Sequence, residues 1–369
     1  MHIPVAKPMI GTEERDNVTR LLRSAMLSQG QYTGEFEKKL AAYVGTEFAV
    51  GTNSGTSALH IALLGLGAKS NTTVLTSALS FVATPNAISY TGAKPAFVDV
   101  GFEDLNISFE KLQETLEGLP DVVGVVPVHL MGVPADIYSI LDWASAYELF
   151  VVEDSALALG TRYKTRMLGT IADAGIYSFY GSKTIVTGEG GMLVTNNEEL
   201  NERMRLLRSH GQHPNHKYFH TTLGYSYQLS NLHAAVGIAQ MEKIDEIVDR
   251  KRYVATILRK ELLTMNNLSL FNEPEGSEIT YFGCPFLVNK AENKHRVLSM
   301  LAEKNIETRP IFCVLPELCM YAENSVETKY PHALDISRRG FYISCAPTLT
   351  DLEIEYLIDS LMDVDQRID

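Results

Sequence analysis

From about residue 46 onward, short β-branched runs alternate with segments whose apolar positions recur at helical spacing. Residues 48–51, 74–76, 96–100, 122–127 and 150–153 read as strands, and residues 56–66, 82–90, 109–116 and 137–148 between them read as helices. Strands that alternate with helices pair in parallel through crossover connections, so the pattern predicts an α/β core with a mainly parallel sheet. Residues 174–179 and 191–194 add two strands joined by a loop containing G-E-G-G, and a helix is expected over 198–207.

The longest helical stretch covers 232–263, with Ile238, Met241, Ile244, Ile247, Val248, Val254, Ile257 and Leu258 at helical spacing. The change of domain is expected inside it, dividing the chain into a large domain over 1–245 and a small one over 246–369. Beyond Asn266 the pattern gives one strand (279–288), a helix (291–304), a short strand near Ile306 and a closing helix from Asp351. This tail reads as a smaller α+β unit and does not repeat the first part.

Composition narrows the class of protein. Of the 369 residues, 45% are hydrophobic and 21% charged, an ordinary globular balance that excludes a disordered, collagen-like or disulfide-stapled chain. The 32 Lys and Arg against 45 Asp and Glu give a formal charge of −13, which repels a nucleic-acid backbone. No nucleic-acid partner is expected, and an anionic ligand requires a pocket whose local field opposes the global one. The start M-H-I-P-V-A-K-P lacks the pattern of a signal peptide, and apolar stretches such as 59–68 are too short to span a bilayer. The expectation is a cytoplasmic protein without a membrane partner. Cys284, Cys313, Cys319 and Cys345 show no C-x-x-C spacing and read as free structural thiols.

Three separated segments bear on chemistry. In N-S-G-T-S-A-L-H, residues 53–60, a strand ends in a turn and a helix begins, so backbone N–H groups and the hydroxyls of Ser54, Thr56 and Ser57 form a ready phosphate site. The same Ser and Thr residues also suit plain N-caps. In F-V-V-E-D-S-A, residues 150–156, an apolar strand ends in two acids, and Asp154 falls where strand carboxyl ends border a ligand crevice. A protonated ring nitrogen, a metal or a helix cap would each suit that carboxylate. In Y-S-F-Y-G-S-K-T-I-V-T-G-E-G-G-M, residues 177–192, Lys183 lies in a small-residue loop after an apolar strand, where desolvation lowers an amine pKa toward a useful nucleophile.

Taken together in this order, a phosphate cradle, a carboxylate and a lysine fit pyridoxal 5'-phosphate. That cofactor needs a phosphate anchor, an acid on its pyridinium nitrogen and a Schiff-base lysine. The G-x-G-x-x-G fingerprint of a nicotinamide enzyme is absent.

On these motifs the sequence resembles the nucleotide-sugar aminotransferases of the DegT/StrS type, which have the aspartate aminotransferase (type I) fold. N-S-G-T-S-A-L-H, E-D-S-A-L-A-L-G, S-F-Y-G-S-K-T with T-G-E-G-G-M, G-Y-S-Y-Q-L-S-N and E-T-R-P-I-F carry the likeness, which spans nearly the whole chain. S-K-T-I-V-T-G-E-G-G-M and E-T-R-P-I-F are most similar to the GDP-perosamine synthase group, which aminates C4 of a 4-keto-6-deoxy sugar. The resemblance implies a cytoplasmic homodimer with sites at the interface, L-glutamate as amino donor and a nucleotide sugar as acceptor. By resemblance Lys183 carries the catalysis, Asp154 meets the pyridinium nitrogen and Phe81 stacks on the ring. Ser54, Gly55, Thr56 and Ser178 are placed at the phosphate by the same resemblance, and Ser226 is placed to reach it from the second subunit.

Three positions in two segments depart from the family pattern. Leu157 stands where members commonly carry Gln, and G-Y-S-Y-Q replaces G-Y-N-Y-R, so Ser226 and Gln228 stand for Asn and Arg. The loop holding His210, His213, His216 and His220 has no alternating Cys or acid, and it reads as a cover over the sugar-nucleotide entrance in preference to a metal site. His210, Arg250, Arg252 and Arg309 are the candidate substrate contacts, with Lys251 beside them; the solvated face of a helix is the plain reading of 250–252. Competing expectations are an acceptor linked to dTDP or UDP and aminated at C3 or C4, a sugar dehydratase, which Lys183 argues against, and a cofactor-binding regulator without turnover.

Overall fold

The computed structural model describes residues 1–102 and 105–368. Its strands are β1 (Phe48–Thr52), β2 (Thr73–Ser77), β3 (Lys94–Val98), β4 (Val122–Val126), β5 (Phe150–Asp154), β6 (Arg162–Tyr163), β7 (Arg166–Met167), β8 (Ala174–Ser178), β9 (Gly191–Thr195), β10 (Leu268–Leu270), β11 (Ser277–Glu278), β12 (Cys284–Val288), β13 (Arg309–Pro310) and β14 (Gly340–Ile343). The helices are α1 (Thr12–Ser24), α2 (Gln31–Val44), α3 (Gly55–Leu66), α4 (Ala83–Tyr90), α5 (Phe109–Glu117), α6 (Ile137–Ala146), α7 (Glu198–Arg208), α8 (Asn231–Glu242), α9 (Ile244–Glu261), α10 (Lys294–Glu303), α11 (Val326–Lys329), α12 (Pro331–Arg339) and α13 (Asp351–Gln366).

Seven strands form the central sheet in the order β1-β9-β8-β5-β4-β2-β3. All run parallel except β9, which is antiparallel to both β1 and β8. Strands β2, β5 and β9 are buried along their whole length, as expected for a sheet covered on both faces. Helices α2 and α8 close an apolar layer over one face, around Phe36, Tyr177, Phe179 and Ile238. Helices α3 and α7 close the other, around Leu59, Leu63, Val152 and Met204. The chain leaves β1, β2, β5 and β8 at the same carboxyl edge, and each of these exits carries one candidate segment. In an open parallel sheet that edge borders the ligand crevice.

Several expectations are corrected. The helix expected over 232–263 is two helices, because Lys243 leaves the helical region at φ −123°, ψ 19°. Its Nζ is drawn to Glu14, 2.8 Å away. The apolar pattern runs on across this one-residue break and so gives no sign of it. The strand expected over 279–288 shortens to β12, and β11 just before its start pairs instead with β6. Near Ile306 there is a single bridge to Ile3, and the edge strand is β13. Helices α1 and α2, and β10 and β14, lie outside the elements read from the pattern. β14 pairs with both β12 and β13 in the second sheet, β10-β12-β14-β13. Ile3, fully buried, packs into the core of this C-terminal body beside Phe286 and Phe341. No helix among the described residues is long and apolar enough to cross a membrane.

Candidate active site

Helix α3 begins directly after β1, and Ser54 caps it: its hydroxyl accepts from the Ser57 N–H at 3.1 Å. The first N–H groups of a helix have no partner inside it, and Ser54 engages only that of Ser57, which leaves Gly55 and Thr56 as the donors for an anion. Ser178, at the end of β8, stands against this turn. A Cβ on Gly55 would lie 3.0 Å from the Ser178 Cβ and 3.4 Å from its Oγ. Gly191 is the register partner of Ser178, and a Cβ there would collide with the Ser54 carbonyl and the Gly55 nitrogen. Two glycines thus let a hydroxyl and a helix N-terminus share one cradle of the kind that holds phosphate.

Asp154 ends β5 and is buried. Its Oδ2 accepts from the Thr84 hydroxyl at 2.7 Å and its Oδ1 from the Ala156 N–H at 3.1 Å. Burial pushes its pKa above the ordinary carboxylate value, against the pull of Thr84, Ala156, Lys183 and His129. The preceding Glu153 points to the opposite side of the strand. It is buried and accepts from the N–H groups of Gly169, Ile171 and Ala172 at 2.8, 2.6 and 2.8 Å. Buried His129 receives the Ala135 N–H on Nδ1, so its proton sits on Nε2 and is donated to Glu153 at 3.1 Å. The His129 backbone N–H also binds the Asp154 carbonyl at 3.1 Å. The strand end that presents Asp154 is therefore fixed from behind.

Lys183 follows a tight turn closed by its own N–H on the Tyr180 carbonyl. Its Nζ sits 5.0 Å above the Phe282 ring, and burial pushes its pKa down to about 8, with Asp154 opposing. A narrow cavity beside it is lined by Val5, Lys7, Ser182, Lys251, Phe282 and Pro347. Phe81 is 57% exposed, so one face of its ring is open to a planar ligand, while Phe312 packs 5.9 Å from it. A poised amine, a buried carboxylate favoured by a cationic partner, an open aromatic face and a phosphate cradle are together the donor set that pyridoxal phosphate requires.

The remaining sequence-chosen residues lie apart from this cluster or are otherwise engaged. Arg250 donates to the Leu349 carbonyl at 2.6 Å and to Asp351 at 2.9 Å. Arg252 donates to the carbonyls of Gly160 and Glu278 at 2.8 and 3.2 Å. Between them Lys251 borders the cavity beside Lys183 and donates to the Phe282 and Cys345 carbonyls at 3.4 and 3.3 Å. Arg309 is exposed and pairs with Glu307. His210, at φ 58°, starts the loop that carries the other histidines, and its carbonyl meets His220 Nδ1 at 3.0 Å. No group of three or more metal-capable side chains occurs among the described residues. Ser226 is exposed, between two half-buried tyrosines. Leu157 is buried in an apolar cluster with Leu79, Met131 and Val314. Thr84 and Phe282 were not legible as site residues, since only the folded chain brings them to Asp154 and Lys183. A cavity of about 960 Å³ at edge strand β3 contains none of these groups.

The chain has relatives among known proteins. Residues 8–362 match the model of the DegT/DnrJ/EryC1/StrS aminotransferase family. The chain is 36% identical over 361 residues to a GDP-perosamine synthase of Escherichia coli O157:H7, covering 98% of each. It is also 36% identical over 255 residues to the UDP-4-amino-4,6-dideoxy-N-acetyl-beta-L-altrosamine transaminase of Campylobacter jejuni, covering 68% of this chain and 67% of that one. The crystal structure of S. venezuelae DesV in complex with a ketimine intermediate superposes with a TM-score of 0.91 at 29% identity, covering 97% of this chain and 95% of that one.

Proposed function

We propose, from the premise that this chain belongs to the DegT/DnrJ/EryC1/StrS aminotransferase family, that it uses pyridoxal 5'-phosphate to move an amino group from L-glutamate to a GDP-linked 4-keto-6-deoxy sugar. The product of the favoured reading is GDP-perosamine, formed from GDP-4-keto-6-deoxy-mannose. The observation that carries the reading is the meeting of Lys183, Asp154 and the Gly55–Ser178 cradle at one sheet edge. Gly55 and Thr56 N–H groups and the Ser178 hydroxyl hold the phosphate, Phe81 covers the ring, and Asp154 holds a proton on the ring nitrogen. When bound, the cofactor supplies an electron sink that acidifies the donor's α-proton. Lys183 Nζ, with its pKa near 8, takes up and returns that proton, which suits a general base at neutral to mildly alkaline pH.

A cytoplasmic homodimer is part of the reading. Leu22, Met26 and Leu27 are exposed around the end of α1, and the Asn231 side chain holds the Met26 carbonyl at 2.8 Å beside exposed Leu232. Such an uncovered apolar surface supports a second copy as its occupant, and sedimentation of the purified protein at monomer mass would contradict this. For the acceptor, a UDP-linked sugar is the second reading, because the UDP-sugar relative is as similar over its aligned span as the GDP-sugar one. The test is a panel of GDP-, dTDP- and UDP-linked keto sugars with L-glutamate, following the amino sugar formed. Amination of the GDP sugar alone is expected, and amination of only a UDP sugar would overturn the perosamine assignment. The cofactor is tested by a visible absorption band that L-glutamate bleaches and that Lys183→Ala lacks.

A further inference from the structure

His60 is the last residue of the N-S-G-T-S-A-L-H motif and lies on α3, five residues beyond Gly55. It is 2% exposed, and nothing in the proposed chemistry uses it. Burial pushes its pKa below the ordinary value for histidine, with the Tyr90 backbone opposing, so the ring is neutral at working pH. Three tyrosine rings surround it: Tyr225 at 4.8 Å, Tyr90 at 5.7 Å and Tyr227 at 5.8 Å between centroids. Nδ1 shares a hydrogen bond of 3.1 Å with the Tyr227 hydroxyl. Tyr225 and Tyr227 stack on each other at 5.0 Å with an interplanar angle of 14°.

These contacts define how the segment around Ser226 is held. Tyr225 and Tyr227 turn inward, half-buried, and Ser226 between them is exposed, the alternation of an extended chain. The segment is tied to the front of α3 at a second point. The Asn53 N–H donates to the Tyr227 carbonyl at 2.9 Å, and the Asn53 amide reaches the Ser226 carbonyl at 3.4 Å. Asn53 lies just before the Ser54 cap and His60 is the sixth residue of α3, so the segment is clamped from before the start of the helix to the middle of its length, on either side of the N-terminus that forms the cradle.

We infer that His60 is a positioning residue, which through Tyr225 and Tyr227 locks the Ser226 segment to α3 and so fixes the direction of the N–H groups of Gly55 and Thr56 at the cofactor phosphate. The inference rests on the pyridoxal phosphate reading and deepens it by assigning the phosphate end of the site a residue that does not touch the phosphate. A histidine that only fills the core would affect the binding of any cofactor-shaped aldehyde. A residue that aims the cradle affects the phosphate ester selectively.

The experiment titrates the cofactor-free full-length protein with pyridoxal phosphate and with pyridoxal, which lacks the phosphate, and reads the absorption change. In His60→Phe the preference for pyridoxal phosphate over pyridoxal should fall about tenfold, the scale of one or two net hydrogen bonds. In His60→Asn, whose amide can replace Nδ1, most of the preference should return. Hydrogen exchange of the cofactor-free His60→Phe protein should quicken at the amides of residues 225 and 227. Tyr227→Phe removes one hydroxyl from a half-buried ring, and should lower the preference about threefold even where His60→Phe fails to fold. An unchanged preference in Tyr227→Phe and in every folded His60 variant, or equal weakening of both aldehydes, would overturn the inference alone. Wild-type protein that binds neither aldehyde would overturn the cofactor reading, and this inference with it.

Discussion

The Thr84 hydroxyl donates to Asp154 Oδ2 at 2.7 Å across 70 residues of sequence, and both side chains are buried. Burial favours the neutral acid at Asp154, and Thr84 is the foremost of the groups that oppose it. Thr84→Val keeps the side-chain shape and removes the donor. A hydrogen bond to a charged group contributes about 1.5–3 kcal/mol, so the dissociation constant for pyridoxal phosphate should rise roughly tenfold or more. Equilibrium titration measures it, and an unchanged constant would show that Thr84 does not hold the carboxylate in its working state.

Lys183 gives a pH dependence whose sign follows from its environment. Its pKa is about 8 in the folded cofactor-free chain against an ordinary value of 10.5. Between those values the unfolded chain holds a proton that the folded chain has released, so this group makes stability rise with pH across that window. Below about pH 8 both states hold the proton and the slope vanishes. Urea midpoints of wild type and Lys183→Met at pH 8 and 10 isolate the effect, because other titrating groups are common to both. Wild type should gain stability relative to the variant as pH rises, and a gain for the variant would reverse the assignment.

Leu157 packs with Leu79, Met131 and Val314 at the position where a glutamine is expected by resemblance. In Leu157→Gln the cofactor-free protein buries an amide among apolar side chains, a cost of about 1–3 kcal/mol when it finds no partner. The melting temperature of that protein should fall. If the position faces the cofactor, pyridoxal phosphate should restore more stability to the variant than it adds to wild type, which calorimetry with and without cofactor would show.

Glu153 accepts three backbone N–H groups and the His129 ring within a fully buried site. Glu153→Gln replaces one acceptor oxygen by an NH₂ group that faces N–H donors. Loss of about two such hydrogen bonds costs on the order of 2–4 kcal/mol, and the denaturant midpoint should drop accordingly. A midpoint within error of wild type would mean that the 168–172 loop does not depend on this carboxylate.

The fold class was legible because it rests on local signals. Alternating β-branched runs and helical periods gave most elements of the central sheet to within one or two residues. The antiparallel course of β9 was not legible, because strand direction is set by pairing and not by pattern. The break at Lys243 was hidden because an apolar stripe continues through it, and the Glu14 carboxylate that the Lys243 side chain pairs with lies over 200 residues away. The N-terminal helices were missed although their apolar faces cover the sheet and α8.

The site divides along the same line. Lys183, Asp154 and Gly55 were readable because each sits at a strand end or helix start with a motif around it, and Ser178 entered through the resemblance alone. Arg250 and Arg252 were chosen for their charge alone, and the fold directs them to backbone carbonyls and nearby acids, while Lys251 between them borders the Lys183 cavity. The sequence by itself determined which chemical groups are present and which edge of a parallel sheet they leave from, since both follow from residue type and local periodicity. Only the tertiary structure decided that Thr84 meets Asp154, that Gly191 makes room for the cradle and that His60 grips Tyr227. Those relationships depend on chain segments that are distant in sequence and adjacent only once the two faces of the sheet are packed.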